Sequence, residues 1–509
     1  MSTWKRIADA ADVGEKPIAV ELEDESQILL VRVDGKIQAT DNACPHYGAP
    51  LADGVYKEGM IVCPWHNTTF DAETGKLDRP PSLDDLTTYE VKEEDGGVFL
   101  GQVIENEISM PDGSDERRVV VLGAGAAGIA CAEALRREGF AGEIELLTRE
   151  SHAPYDRPML SKGLISGEAP PKYLPLRPNG FYDKLGITVT TGVEITSMDP
   201  GTKTLRSSSG DEYRGDMVLL ATGGVPRTLP LPGADRDNVY TLRTRDDAER
   251  IMEAAKAARR AVILGASFIG MEVAAQFRAQ DIYVTVVEPE KEPLIRNLGE
   301  EIGRWLRETH EEEGVRFKLG TKAQEITGDE SATGLTLETG ESLEADLILM
   351  AVGVEPRVDY LEGSKLVSDP AKGVHVDEHL ETEASGIYAA GDIAVYPAGG
   401  TEQRVEHWVH AEAQGRHVAR AMLGSDKPYT RLPFFWTRQY ETGLKYAGYP
   451  TAFESIVFDG TPGKGEFVAG FFTEGKLTGV ASMGKAERFN DLGDQLEAGT
   501  TITPEEFRR

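Results

Sequence analysis

The sequence predicts a multidomain protein that begins with a small all-β domain, continues with two α/β domains and ends with an α+β domain. Residues 1–105 are rich in short alternating runs separated by Gly, Asp and Pro turns, a pattern typical of strands. From residue 117 an apolar strand, a glycine turn, a helix and a second apolar strand follow one another, and the same plan returns at 260–288. The final stretch returns to short strands and turns.

Composition excludes several classes of protein. The chain has 509 residues, of which 40% are hydrophobic and 28% charged, so it can bury sizeable cores. Its 86 acidic residues outnumber the 54 basic ones, and the resulting charge of −32 repels nucleic acid. Three cysteines cannot form a disulfide scaffold and suit a reducing compartment. With no secretory signal and no membrane span in the sequence, we expect a cytoplasmic protein.

Two cysteines and two histidines in the first domain have the spacing of a metal site. Sixteen residues separate Cys44-x-His46 from Cys63-x-x-His66. Two sulfur and two nitrogen donors suit either a tetrahedral zinc ion or a two-iron, two-sulfur cluster with mixed ligands. No helix carries the second histidine pair of a zinc finger, which favours the cluster but leaves zinc open.

The segments CPHYGAPL and CPWHNTTFDAETG resemble Rieske-type ferredoxins. The resemblance implies that Cys44 and Cys63 hold one iron of a [2Fe–2S] cluster, and that His46 and His66 hold the outer iron. Residues 1–105 are then a Rieske domain, and the polar stretch 106–116 is a linker. Asn67 departs from the family pattern, which usually has glycine at this position.

The first glycine turn of the α/β region predicts a dinucleotide site. Gly123-x-Gly125-x-x-Gly128 follows an apolar strand and opens a helix, and Glu150 follows the next strand. The three glycines permit a tight turn, close approach of a pyrophosphate and close packing of the helix, while the acid accepts a ribose hydroxyl. The helix N-terminus stabilises the bound anion.

A second turn of the same kind reads Gly265-Ala-Ser267-Phe-Ile-Gly270, with Glu288 at the end of the following strand. An acid at this place binds the 2′-hydroxyl of adenosine and repels a 2′-phosphate. The sequence therefore predicts NADH rather than NADPH, although Lys291 lies close by. Together the two turns predict two Rossmann-like dinucleotide-binding domains.

Residues 117–509 resemble the flavin-dependent ferredoxin reductases and the apoptosis-inducing factor family. The matching segments are PYDRPMLSK, GIYAAGDIA, VEHWVHAEAQGR and PFFWTRQYETGLKYAG. In these proteins the first turn binds FAD and an inserted domain binds NADH. The resemblance implies an FAD-binding domain in two parts (117–235 and 358–428), an NADH-binding domain (236–357) and a C-terminal α+β interface domain (429–509).

The same resemblance assigns residues around the flavin. Arg157 and Lys162 match positions near the FAD pyrophosphate and isoalloxazine, Asp392 matches an acid that binds the ribityl chain, and Trp436 matches an aromatic beside the flavin. Glu272 stands where the family has an acid facing the nicotinamide pocket, paired with Lys162. Lys162 and Glu272 are therefore the expected catalytic residues.

We expect an NADH-dependent FAD oxidoreductase that passes electrons one at a time from flavin to the fused cluster, and then to an unidentified acceptor such as an oxygenase or another redox protein. Two alternatives are a redox signalling or binding protein with little turnover, as in apoptosis-inducing factors, and a dedicated reductase component of a monooxygenase or dioxygenase. Cys131 is the one cysteine of the reductase part, which excludes dithiol chemistry. The sequence is compatible with a monomer or a homodimer.

Overall fold

The computed structural model describes residues 4–104, 108–450 and 452–509. The chain forms two compact units. The first unit contains the chain up to Pro111 together with Ala486–Asp491, and the second contains Asp112–Lys485 and Leu492–Arg509. Residues 106 and 107 of the predicted linker lie outside the described part.

In its described residues, the first unit is built from ten strands in two antiparallel sheets, which confirms the predicted all-β domain. One sheet has six strands in the order β1-β10-β9-β4-β3-β2, and the other has four in the order β5-β6-β7-β8. The strands are β1 (Lys5–Asp9), β2 (Ile18–Glu21), β3 (Gln27–Val33), β4 (Lys36–Asp41), β5 (Val55–Lys57), β6 (Met60–Val62), β7 (Thr69–Asp71), β8 (Leu77–Arg79), β9 (Thr88–Glu94) and β10 (Gly97–Ile104).

Two Asp-Gly turns set the register of the larger sheet. Asp34-Gly35 joins β3 to β4 and Asp95-Gly96 joins β9 to β10, and all four residues have positive φ. Two-residue hairpins favour this conformation because it matches the twist of the strands they connect. Buried apolar side chains from both sheets, including Leu29, then surround the two cysteines of the predicted cluster site.

The second unit contains two five-stranded parallel sheets with helices, as the repeated strand–turn–helix plan predicts. In the first sheet the order is β13-β12-β11-β17-β29, where β29 spans Ile387–Ala389. Its neighbouring elements are β11 (Arg118–Leu122), α1 (Ala126–Arg137), β12 (Glu143–Leu147), α2 (Phe181–Lys184), β13 (Ile187–Thr190), β14 (Ile195–Asp199), β15 (Thr204–Ser207), β16 (Glu212–Arg214), β17 (Met217–Leu220) and β18 (Gly224–Pro226).

The second parallel sheet has the order β19-β26-β20-β21-β22. β18 pairs with β27 (Val354–Pro356) in an antiparallel ladder. This ladder joins the segment that contains the second parallel sheet to the rest of the unit. The elements are β19 (Val239–Tyr240), α3 (Arg245–Ala255), β20 (Arg260–Leu264), α4 (Phe268–Arg278), β21 (Tyr283–Glu288), α5 (Ile295–Glu312), β22 (Arg316–Leu319), β23 (Ala323–Gly328), β24 (Ala332–Leu337), β25 (Ser342–Glu344), β26 (Leu347–Met350) and β27 (Val354–Pro356).

The chain ends in a β-rich region with short helices. Its five-stranded antiparallel sheet has the order β32-β33-β36-β35-β34. None of the helices in the described ranges combines the length and apolar character that a membrane crossing requires. The remaining elements are β28 (Val374–His375), β29 (Ile387–Ala389), β30 (Ala394–Ala398), β31 (Thr401–Gln403), α6 (Trp408–Met422), β32 (Phe434–Gln439), β33 (Thr442–Gly448), β34 (Ser455–Gly460), β35 (Phe467–Thr473), β36 (Lys476–Met483), α7 (Ala486–Glu497) and α8 (Pro504–Phe507).

Candidate functional site

The predicted cluster ligands lie on two loops with the same backbone geometry. Cys44 follows β4, and its carbonyl accepts from the Gly48 N–H at 2.8 Å. Cys63 follows β6, and its carbonyl accepts from the Asn67 N–H at 3.3 Å. In each loop the cysteine N–H also donates to a carbonyl five residues ahead, so the two loops present their side chains from equivalent turns.

The four side chains form a sulfur pair and a nitrogen pair. The thiols of Cys44 and Cys63 are buried and hydrogen-bonded to each other, and the bond together with burial raises the pKa of Cys44. The Nδ1 atoms of His46 and His66 lie 3.0 Å apart. In the described ranges, no three His, Cys, Asp or Glu side chains converge on a point that could hold a single metal ion. Two separate donor pairs suit two irons better than one tetrahedral zinc.

The cysteine pair and the histidine pair differ in their exposure to solvent. The cysteines belong to the buried core, whereas the histidines are partly exposed between Tyr47, 39% exposed, and Trp65, 50% exposed. The hydroxyl of Thr68 is buried at Cys44, where it acts against the rise in the pKa of that thiol. A buried hydroxyl at a proposed ligand cysteine fits a donor to cluster sulfur. Sequence reasoning missed Thr68.

In the second unit, the first glycine turn borders a cavity of about 320 Å³. A Cβ on Gly123, which has φ +114°, would lie 2.2 Å from the carbonyl oxygen of Ala221, and one on Gly128 would lie 1.8 Å from the oxygen of Gly123. A Cβ on Gly125 would meet nothing within 4 Å. The chain itself therefore requires the first and third glycines, while the second leaves space at the N-terminus of α1 for a phosphate group.

Glu150 lines the same cavity and is held by two donors. The Tyr155 hydroxyl donates to its Oε2 at 2.5 Å, and the Arg157 guanidinium donates to its Oε1 at 2.7 Å. Arg157 also donates to the carbonyl of Arg243 at 2.6 Å. The predicted acid and the predicted arginine are therefore neighbours, and the ion pair fixes the orientation of both.

Lys162 and Glu272 form an ion pair on the wall of the cavity, as the resemblance implies. Lys162 Nζ lies 2.9 Å from Glu272 Oε1 and 3.0 Å from Oε2. Glu272 is buried and also accepts from Ser161 at 2.6 Å and from Thr437 at 2.7 Å. Lys162 Nζ lies 6.0 Å from the ring centroid of Trp436. Sequence reasoning missed both hydroxyl donors, since neither stands in a motif.

Asp392 is far from the first glycine turn in the sequence but lines the same cavity. Its Oδ2 accepts from Arg243 at 2.8 Å, a partner that no motif indicates. His407, which also lines the cavity, has a buried Nδ1 without a hydrogen-bond partner in the described ranges, and burial lowers the pKa of its ring to about 4. A neutral imidazole with an unused nitrogen can receive or offer a hydrogen bond to a ligand.

The second glycine turn departs from the first at its middle position. Ser267 caps α4, and its Oγ accepts from the Gly270 N–H at 3.2 Å. Gly265 has φ +102°, and a Cβ there would lie 2.6 Å from the carbonyl oxygen of Ala351. Glu288 Oε2 accepts from the Ala266 N–H at 2.7 Å, which places the acid against the turn.

Lys291 does not compete with this arrangement. Its ammonium group forms an ion pair with Glu300. The acid that the sequence predicts to select NADH is therefore oriented by backbone donors rather than by Lys291.

Comparison with known proteins identifies the family. A family model described as pyridine nucleotide-disulphide oxidoreductase matches residues 117–415, more than half of the chain. The chain belongs to the pyridine nucleotide-disulphide oxidoreductase family. A Rieske [2Fe–2S] domain model matches residues 3–90 of this oxidoreductase, and a reductase C-terminal model matches residues 434–508. Both resemblances inferred from the sequence are confirmed.

Individual relatives agree with these assignments. The oxidoreductase is 36% identical to apoptosis-inducing factor 3 of Homo sapiens over 94% of this chain and 82% of that protein. It is 34% identical to the ferredoxin reductase component of chlorobenzene dioxygenase from a Cupriavidus strain, over 76% of this chain and 94% of the relative. A crystal structure of the ferredoxin reductase for the CYP199A2 system of Rhodopseudomonas palustris matches with a TM-score of 0.73 and 33% identity, covering 77% and 96% of the two chains.

The chain is thus an NADH-dependent flavin oxidoreductase of the ferredoxin reductase type that carries a Rieske domain. FAD, NAD(H) and a [2Fe–2S] cluster are its cofactors. The residues described above fit all three. The first glycine turn leaves space for a phosphate group at Gly125, the Glu288 carboxylate lies against the second turn, His407 offers an unused nitrogen, and the two donor pairs supply two ligands for each iron.

Proposed function

We propose that this protein carries electrons from NADH through FAD to its own Rieske cluster and releases them singly to an acceptor protein. The observation that carries the proposal is the Lys162–Glu272 ion pair on the wall of the cavity, in the same chain as paired thiol and imidazole donors. When bound, FAD supplies the conversion of a two-electron hydride into single electrons.

The first glycine turn and α1 would bind the pyrophosphate of FAD, because backbone N–H groups at a helix N-terminus stabilise an anion. Glu150 would accept a ribose hydroxyl, with Arg157 holding the acid in place. Asp392, oriented by Arg243, would bind the ribityl chain, and Trp436 would lie beside the isoalloxazine. The full proposed set for FAD is Gly123, Gly125, Gly128, Glu150, Arg157, Lys162, Asp392 and Trp436.

The second parallel sheet would bind NADH. Gly265, Ser267 and Gly270 form its turn, and the Glu288 carboxylate would accept the adenosine 2′-hydroxyl while repelling a 2′-phosphate. We propose that the two parallel sheets are Rossmann-like domains with the borders inferred from the sequence, an FAD part at 117–235 and 358–428 and an NADH part at 236–357.

Lys162 and Glu272 act through charge and position. A lysine ammonium on the cavity wall stabilises negative charge that develops beside it, and it does so without reorganisation because Glu272 already holds it. Glu272 is itself fixed by hydroxyl donors on two sides, so the pair stays in place when water is displaced by nicotinamide.

Cys44 and Cys63 would hold the inner iron, and His46 and His66 the outer iron. The histidines are the partly exposed members of the set, so electrons would leave the protein on their side. The exposed rings of Tyr47 and Trp65 flank this exit. The cluster would receive electrons within the same polypeptide, where tethering replaces the encounter of two separate proteins.

Names of relatives suggest the class of acceptor. One relative is the ferredoxin reductase component of chlorobenzene dioxygenase, and another is the ferredoxin–NAD(+) reductase subunit of a benzene 1,2-dioxygenase system from Pseudomonas putida. We therefore propose an oxygenase or a comparable redox protein as the acceptor. The small number of cysteines suits a cytoplasmic location.

The test is an absorption and electron paramagnetic resonance spectrum of the purified protein before and after NADH. We expect the flavin band to bleach and a reduced Rieske signal to develop in the same sample. Flavin bleaching with an unreduced cluster would contradict the relay. Full FAD occupancy with negligible NADH turnover would favour the signalling role suggested by the relation to apoptosis-inducing factor 3.

A further inference from the structure

Four buried side chains from separate parts of the second unit form one continuous hydrogen-bond chain that ends on Glu272. His310 lies on α5, Gln439 and Thr437 lie on β32, and Glu272 lies on α4. Their exposures are 0%, 1%, 2% and 4%, so water cannot replace the bonds between them. Buried polar networks of this kind are costly unless every member has a partner.

The hydrogen bonds of this series all run in one direction, which is set by the Glu272 carboxylate at its end. Thr437 Oγ1 donates to Glu272 Oε1 at 2.7 Å, which leaves the hydroxyl oxygen to accept from Gln439 Nε2 at 3.3 Å. The amide oxygen of Gln439 lies 2.9 Å from His310 Nε2. Because an amide oxygen can only accept, His310 Nε2 must carry the proton.

The hydrogen bonds at the His310 end of the series agree with this direction. With its proton on Nε2, the ring of His310 has an accepting Nδ1, and the Tyr440 hydroxyl lies 3.5 Å from that atom, at the outer limit for a bond. Burial lowers the pKa of His310 to about 4, so the ring is neutral near pH 7 and has one donor and one acceptor. Every donor from Tyr440 onward therefore points towards Glu272.

The same carboxylate holds the lysine on the wall of the cavity. Oε1 of Glu272 receives Thr437, Oε2 receives Ser161, and Lys162 Nζ lies within 3.0 Å of both oxygens. A shift of the Thr437 hydroxyl therefore moves the Glu272 carboxylate, and the carboxylate in turn moves the Lys162 ammonium group.

We propose that Thr437, Gln439 and His310 are positioning residues that orient the Glu272 carboxylate, and through it Lys162, for electron transfer from NADH. The inference rests on the proposed function in that it assigns these residues to the same ion pair. None of the three lines the cavity in the described structure, so their effect passes through Glu272.

The first experiment compares Thr437→Val, Thr437→Ser and Gln439→Leu with the wild-type holoprotein. Stopped-flow measurement at saturating NADH separates the rate of flavin reduction from the apparent affinity for NADH. Loss of one hydrogen bond to a charged group corresponds to about a tenfold slower reduction. We expect this loss in Thr437→Val with FAD content and melting temperature retained, and recovery to within about twofold in Thr437→Ser.

The matched control is Thr204→Val. Thr204 is also buried on a strand, and its hydroxyl forms bonds only with Thr202 among the described residues. We expect it to reduce flavin at the wild-type rate. If flavin reduction in Thr437→Val and Gln439→Leu also proceeds at that rate, the hydrogen-bond series has only a packing role and the proposal is wrong. Gln439→Leu decides the question should Thr437→Val fail to fold.

A second readout does not depend on turnover. Nitrogen-15 spectra of histidine-labelled protein, with the His310 signals assigned by their loss in His310→Phe, report which ring nitrogen carries the proton. We expect the neutral Nε2–H form in the wild type and a changed spectrum in Gln439→Leu. A neutral Nδ1–H form would overturn the proposed direction. Absence of flavin reduction in the wild type would instead contradict the proposed function, while these spectra would still test the chain.

Discussion

Gly48 and Asn67 occupy the same place in their two loops. Each stands four residues after a cysteine, each has positive φ (+76° and +61°), and each donates its N–H to the carbonyl of that cysteine. Glycine adopts this conformation without strain, and asparagine is one of the few other residues that tolerate it. The departure from the family pattern at Asn67 therefore preserves the loop geometry.

Replacement of Asn67 tests this equivalence. We expect Asn67→Gly to retain iron and Asn67→Val to lose it, since a β-branched residue in the left-handed region costs about 1–2 kcal/mol. Iron content per chain and the visible absorption of the cluster measure the effect. Equal iron content in both variants would show that the conformation at this position does not matter for the cluster.

The cysteines give a matched pair of variants. Cys63→Ala removes a proposed ligand, so we expect iron and the Rieske signal to disappear while FAD stays bound. Cys131→Ala is the control, because Cys131 is equally buried but lies on α1 of the other unit. It should keep both cofactors, with a loss of stability of about 1 kcal/mol for the removed sulfur. Metal analysis and flavin absorbance distinguish the two results.

Lys162→Met removes the charge on the cavity wall and keeps most of the side-chain volume. We expect flavin reduction by NADH to slow by about 10²-fold, the range seen when one preorganised charge-stabilising donor is lost. Lys256→Met provides the control, since Lys256 forms an exposed ion pair with Glu253 at the C-terminal end of α3. Comparable rates for both variants would remove Lys162 from the proposed mechanism.

Glu288 is expected to set the preference for NADH. In Glu288→Ala the repulsion of a 2′-phosphate is lost, and we expect the ratio of kcat/KM for NADH over NADPH to fall by about tenfold or more. Lys291→Ala should leave this ratio near the wild-type value because Lys291 is paired with Glu300. A reversed result, with Lys291 controlling the ratio, would transfer the selectivity to that lysine.

Glu412 should make stability depend on pH. Its side chain is 1% exposed, and burial, followed by the charge of Asp156, raises its pKa well above the ordinary value of 4.5. As pH rises past 4.5 the unfolded chain releases this proton before the folded chain does, so the free energy of unfolding falls.

Glu412→Gln removes the titration and keeps an acceptor for the Trp408 indole, which donates to Glu412 at 3.0 Å. We expect its melting temperature to equal that of the wild type near pH 4 and to exceed it near pH 8. Glu253→Gln, on the exposed face of α3, should follow the wild type at both values. Parallel behaviour of Glu412→Gln and the wild type would mean that Glu412 does not hold its proton in the folded chain.

The sequence predicts those candidate residues whose chemistry requires a fixed type at a fixed local spacing. The proposed cluster ligands and the glycines of both turns belong to this class, because a turn or a metal site constrains neighbouring positions. Thr437 and Arg243 were not predicted, because each hydrogen-bonds to a partner more than one hundred residues away in the sequence. His310 stands in no motif, and its place among these hydrogen bonds depends on how α5 meets β32.

The ladder between β18 and β27 brings Gly224 opposite Pro356 and Pro226 opposite Val354. The stretch between these strands therefore starts and finishes at adjacent points, although it contains more than a hundred residues. Such a stretch can be exchanged as one cassette, because its removal leaves two chain ends that a short turn can rejoin. The coenzyme preference that we propose for this stretch can accordingly be engineered by grafting from a relative, provided that the graft keeps Glu272 and His310, which bond to residues outside the stretch.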